Sequence, residues 1–223
     1  MKALLFGATG MVGQCVLRKC LEDREVELVV AIGRSATMVQ NAKLREIIHS
    51  NLLNYAAIES QLRGFDACFF CLGVSSVGMK PEEYKRITYG ITMAAAETLA
   101  RLNPQMTFIY VTGAGTDSSE KGRVAWARVK GRTENALLRL PFKAAYMFRP
   151  ALIQPLHGIR PKTASVRVLY ALLRPVMPLL RRIAPNFIVT SDQLGRAMLA
   201  AAKQGAPKTI LEVRDIRNLA AAS

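Results

Sequence analysis

Three glycines, Gly7, Gly10 and Gly13, stand three residues apart directly after a short apolar run, Ala3-Leu4-Leu5-Phe6. The chemistry open to that spacing is the binding of phosphate. The first glycine permits a tight turn, the second lets the backbone approach a pyrophosphate, and the third lets a following helix pack closely on the strand. With Thr9, Met11 and Val12 between them, these glycines set unpaired N–H groups and the positive end of a helix dipole where an anion can rest. A second apolar run, residues 27–32, ends at Gly33-Arg34-Ser35. An acid there would accept from the ribose 2′-hydroxyl of NAD, whereas a base suits the 2′-phosphate of NADP. The forked guanidinium of Arg34, with the Ser35 hydroxyl beside it, favours NADP(H), with NAD(H) as the alternative.

Such residues need a rigid frame, and the apolar pattern supplies one. Strands are expected at 2–6, 27–32, 44–50, 66–72, 107–111 and 143–148. Helices are expected at 11–22, at 81–102 behind Pro81, and at 122–140. Strands apolar on both faces and separated by helices predict an α/β fold: a Rossmann-type doubly wound parallel sheet with a small C-terminal substrate region. The 223 residues suit one domain, 1–223, with 151–187 as a substrate-cleft or lid segment inside it.

Composition narrows the partners. The net charge is +15, and no Asp or Glu occurs from 135 to 191, against nine Lys and Arg. That stretch could meet an anionic substrate, a membrane face or nucleic acid. No recognition helix or aromatic-basic motif accompanies it, so no specific nucleic acid is expected. Residues 166–180 are rich in Leu and Val, but Arg167, Arg174, Pro175 and Pro178 interrupt them. They read as an amphipathic lid over the cleft, or as a peripheral membrane contact through 160–182, and not as a transmembrane span. Cys68 and Cys71 have CxxC spacing within a strand, where positions three apart face opposite sides; no metal site is expected. The absence of an export signal and the unpaired thiols predict a cytoplasmic protein.

The glycine spacing, Arg34, Leu72-Gly73 and three further runs resemble an atypical short-chain dehydrogenase/reductase of the Tat-interacting-protein and NmrA-like branch. Those runs are residues 107–116, Val129-Lys130-Gly131-Arg132-Thr133-Glu134, and Phe148-Arg149-Pro150, and the likeness extends from residue 2 to about 216. It implies a cofactor site completed by Asn51 (where the family usually has an adenine-binding Asp), Leu52, Leu72, Gly73, Val74 and Pro150. It also places Thr88 where related reductases often carry an Asn. The family's Tyr-x-x-x-Lys motif here reads Trp126-Ala127-Arg128-Val129-Lys130. Lys130 can bridge the ribose hydroxyls, and Thr112 at the end of the fifth strand is a candidate hydroxyl partner beside Thr116, Ser118 and Ser119 in the following loop, but an indole N–H is a donor only and cannot cycle a proton. Tyr89 or Tyr146 could substitute, while Tyr110 reads as core. Three functions stay open: an NADP(H)-dependent oxidoreductase or epimerase-type enzyme acting on a small molecule, an NADP(H)-binding sensor engaging a protein, and a nucleic-acid binder.

Overall fold

The computed structural model describes residues 1–158 and 187–222. Its strands are β1 (Lys2–Phe6), β2 (Leu28–Gly33), β3 (Leu44–Ile48), β4 (Ala67–Phe70), β5 (Thr107–Val111), β6 (Ala144–Arg149), β7 (Leu152–Gln154), β8 (Ile188–Thr190) and β9 (Ile210–Glu212). Seven of them form a sheet in the order β3-β2-β1-β4-β5-β6-β9, every neighbouring pair parallel. β7 and β8 make a separate parallel pair. The order in which strands are added reverses between β1 and β4, and ligands of open α/β sheets settle outside the strand ends at such a point.

Burial on both faces explains the unbroken apolar runs. Ala3, Leu4, Leu5 and Phe6 have no solvent exposure. Ala3 and Leu5 join a core under α1 (Met11–Glu22), α5 (Ser191–Gln204) and α6 (Val213–Ala221), whereas Leu4 and Phe6 join one on the opposite face. That second core packs a 3-10 turn (Ala56–Leu62) and a long helix, with Leu137 added from α4 (Ala125–Leu138). The α/β doubly wound expectation is met. The helix expected at 81–102 forms as α2 (Pro81–Lys85) and α3 (Ile91–Leu102), joined through a π turn at Arg86–Gly90.

Helix α4 starts three residues later than its pattern suggests. The Asp117 carboxylate accepts from the N–H groups of Ser119 (3.0 Å) and Gly122 (2.7 Å), which holds that stretch in a loop. Residues 159–186, which include most of the expected lid and the 160–182 membrane contact, lie outside the described residues. Among the described residues no helix is long and apolar enough to cross a membrane. None of their His, Cys, Asp and Glu side chains form a metal-sized cluster.

All four cysteines are free thiols, and the CxxC pair is split as strand geometry requires: Cys68 lies in one core and Cys71 packs on the other. Burial pushes the Cys15 thiol up to about 11 and that of Cys20 to about 12. A charged thiol reagent at pH 8 should therefore modify the native chain slowly and all four sites rapidly in denaturant. Fast labelling of the folded protein, or stoichiometric zinc, would contradict this packing.

Candidate functional site

The phosphate loop connects β1 to α1. Gly7 has φ +78°, a left-handed conformation that suits glycine. A Cβ on Gly13 would lie 2.1 Å from the Gly7 carbonyl oxygen, so the helix could not seat this closely with any other residue. Gly10 donates to the Gly7 carbonyl at 2.9 Å, and the Gln14 amide donates to Thr9 O at 3.0 Å; together they hold the loop. The first turn of α1 carries no acid, so its orphan N–H groups at Met11, Val12 and Gly13 meet no competing carboxylate on their own helix. This cradle fits a pyrophosphate.

A cleft of about 840 Å³ opens beyond the loop. Gly10, Met11 and Val12 line one end, Leu72, Gly73 and Val74 one side, and Lys130, Trp126, Tyr84 and Thr88 the other. The expected Pro150 and the short β7 segment Leu152-Ile153 close it, together with Phe187. Lys130 Nζ donates to the Thr112 carbonyl at 2.6 Å and lies 5.8 Å from the Trp126 ring centre. Burial pulls its ammonium below the ordinary lysine range, opposed by the Glu134 carboxylate one helical turn on. Trp126 faces the cleft, its ring reaching the backbone of Gly115.

Among the tyrosines, Tyr89 packs its ring 4.9 Å from the Arg132 guanidinium, and Tyr146 sits in β6 with its hydroxyl toward Gly205. Neither lines the cleft. Tyr110 is core, as expected from its strand, although it also forms part of the cleft floor. The tyrosine that sequence reasoning missed is Tyr84 on α2. It is 4% exposed, and burial pushes its phenol up, opposed by the nearby Thr88 hydroxyl. No local motif marks it, because it reaches the cleft from α2, which lies far from Lys130 in sequence and packs against the Lys130 helix only in the fold.

Thr112 is committed elsewhere: its hydroxyl lies 2.5 Å from Glu134 Oε1 and 3.2 Å from Phe148 O. Glu134 has no exposure and pairs with Arg149 from β6. Arg149 also donates to Ser118 Oγ (2.6 Å) and Glu212 Oε1 (3.2 Å). Burial would lower the Arg149 pKa, but the Glu134 carboxylate prevails and raises it. Gly131 lets α4 come this near, since a Cβ there would fall 1.7 Å from Asp117 O. The pair also escaped the sequence reading, although one signal was available: Glu134 is the last acid before the long acid-free stretch, one turn from Lys130.

A second cavity, about 460 Å³, shares Leu72, Gly73, Val74 and Thr88 with the cleft. Arg34, Asn51 and Leu52 line it, as does Arg86 from the π turn. Ser35 is exposed beside Arg34 but is not on the lining. Asn51 Oδ1 already accepts the Leu53 N–H at 3.2 Å, and an amide oxygen keeps a second lone pair. Asn54 accepts the Ala56 N–H at 2.9 Å, a turn role and not a ligand role.

A glycine cradle at the switch point of a doubly wound sheet, running into two joined cavities, defines a Rossmann-type nucleotide-binding protein. A family profile described as NAD(P)H-binding matches residues 7–139, and the chain belongs to that family. It is 27% identical over 167 residues to "Protein FMP52-2, mitochondrial" of Scheffersomyces stipitis, covering 74% of this chain and 70% of the relative. Among solved structures it resembles Bordetella bronchiseptica WbmH in complex with NAD+, with TM-score 0.65, 14% identity, and 97% and 79% of the two chains covered. A UDP-glucose 4-epimerase from Thermotoga maritima aligns with TM-score 0.67 and 14% identity over 100% of this chain and 82% of that one. At such identities the structural likeness shows the fold alone.

The cytoplasmic expectation is corrected by these relatives. Those from Meyerozyma guilliermondii and Aspergillus clavatus also carry mitochondrial names. Physically, neither an absent export signal nor unpaired thiols distinguishes one reducing compartment from another.

Breaking the Glu134–Arg149 pair on one side leaves a buried charge without its partner. Arg149→Met should cost roughly 3–5 kcal/mol in denaturant unfolding. A loss within experimental error would mean that the pair is not buried in solution.

Proposed function

We propose that the chain is an NADP(H)-dependent oxidoreductase or epimerase-type enzyme whose proton-handling group is not the usual tyrosine of the Lys130 helix. The observation that carries this reading is Lys130, its ammonium drawn into the cleft and anchored on the Thr112 carbonyl. From there it can hold ribose hydroxyls, with Trp126 at its side as a donor-only wall. A bound nicotinamide supplies or accepts the hydride. Tyr84 fits the part of proton donor: it lines the same cleft, and burial keeps its phenol protonated at neutral pH. Among the described residues no carboxylate lines the cleft, which favours a neutral or anionic small molecule. Arg34 favours NADP(H), the likeness of residues 107–116 and 129–134 supports the Tat-interacting-protein and NmrA-like branch, and the relatives' names support a mitochondrial location.

Trp126 also favours a second reading, in which NADP(H) is held without turnover and its binding state is passed to a protein partner. The two separate on NADPH oxidation in the presence of aldehydes, ketones and quinones. Under the enzyme reading, Tyr84→Phe should lower kcat by about 10²-fold or more while NADPH affinity holds, and Lys130→Ala should abolish turnover. Tight NADPH binding with no oxidation by any acceptor would sink it in favour of the sensor.

Trp126, the chain's one tryptophan, offers an independent check of the cleft. Its fluorescence should be quenched on NADPH addition, with sensitised emission from the dihydronicotinamide. Unchanged emission at saturating NADPH would place the nicotinamide elsewhere.

A further inference from the structure

We propose that Arg86 is the second arm of a clamp for the cofactor's 2′-phosphate, acting with Arg34; this rests on the NADP(H) reading above. Both arginines line the 460 Å³ cavity, and among the described residues no carboxylate does. Arg18, Arg63, Arg101, Arg149 and Arg196 each pair with an acid. Arg34 and Arg86 have no such partner among the described residues. Two guanidinium groups facing one cavity repel each other, and an anion between them reverses the sign of that interaction. A phosphate monoester brings close to two negative charges and acceptor oxygens suited to forked donors.

The two arms come from independent elements. Arg34 follows β2, while Arg86 opens the π turn between α2 and α3. π turns occur as single widened turns within α-helices, often at functional sites. Three consecutive residues of this turn, Arg86, Ile87 and Thr88, line the cavity. A regular helix would spread them at about 100° intervals around its axis. Arg86 is exposed, so its removal does not disturb a core.

The test titrates the full chain with 2′,5′-ADP and with 5′-AMP by calorimetry, which isolates the adenosine end from any turnover. Wild type should bind 2′,5′-ADP more tightly than 5′-AMP. Arg86→Ala should weaken 2′,5′-ADP by about tenfold, as loss of a charge-assisted hydrogen bond does, and leave 5′-AMP unchanged. Arg86→Lys should recover part of the loss, and Arg34→Ala with Arg86→Ala together should erase the preference. Equal weakening of both ligands by Arg86→Ala would assign Arg86 to the adenine ring and overturn the clamp. So would no weakening of either. If wild type shows no preference, the NADP(H) reading itself falls; if Arg34→Ala alone erases the preference, that reading stands and only the role of Arg86 is lost.

Discussion

Glu134 is a carboxylate without solvent, and the arrangement of the cleft follows from how its charge is met. Arg149 reaches it from the end of β6, and the Thr112 hydroxyl reaches it from the end of β5. One buried acid on α4 is thereby tied to two neighbouring strands of the sheet. The Thr112 carbonyl, held in place by this contact, is the atom on which Lys130 rests. A buried ion pair contributes little net stability compared with apolar packing, but losing one partner is severe. The pair therefore fixes the seating of α4 more than it strengthens the fold.

The remaining geometry is set by close approach. α1 can rest on the phosphate loop, and α4 on the loop at Asp117, because Gly13 and Gly131 have no side chain to intervene. These two contacts put an orphaned helix N-terminus and a buried ammonium on either side of one cleft. The glycine cradle and the buried ammonium thus come from different helices, and either could be altered while the other is kept. Trp126 stands on the Lys130 helix, so a change at that position leaves the cradle on α1 untouched.

Much of the first 150 residues was legible because its signals are local. The apolar runs of β1, β2 and β5 and the glycine spacing each report on a few neighbouring residues, and they appear where expected. The C-terminal elements were harder. β7, β8 and β9 have three residues each, too few for a periodic pattern. α5 did carry a readable start, the Thr190–Gln193 capping box, next to a basic stretch that drew the reading toward membranes and lids. Tyr84, Arg86 and the pairing of Glu134 with Arg149 were harder for another reason. Each meets its neighbours through contacts between elements distant in sequence, and the π turn that carries Arg86 leaves no mark in the apolar pattern of 81–102.

The order of the sheet carries one more consequence. An open sheet ends in two strands whose outer N–H and C=O groups are unpaired, a template for another chain to extend. At one end, β3 exposes Arg45 and Glu46, and also Ile48, so an incoming strand would meet two charges before an apolar side chain. At the other, β9 stops after three residues and passes directly into α6, leaving little edge to copy. The same brevity that hid β9 from the sequence pattern leaves a strand of another chain only three residues to pair with at that edge.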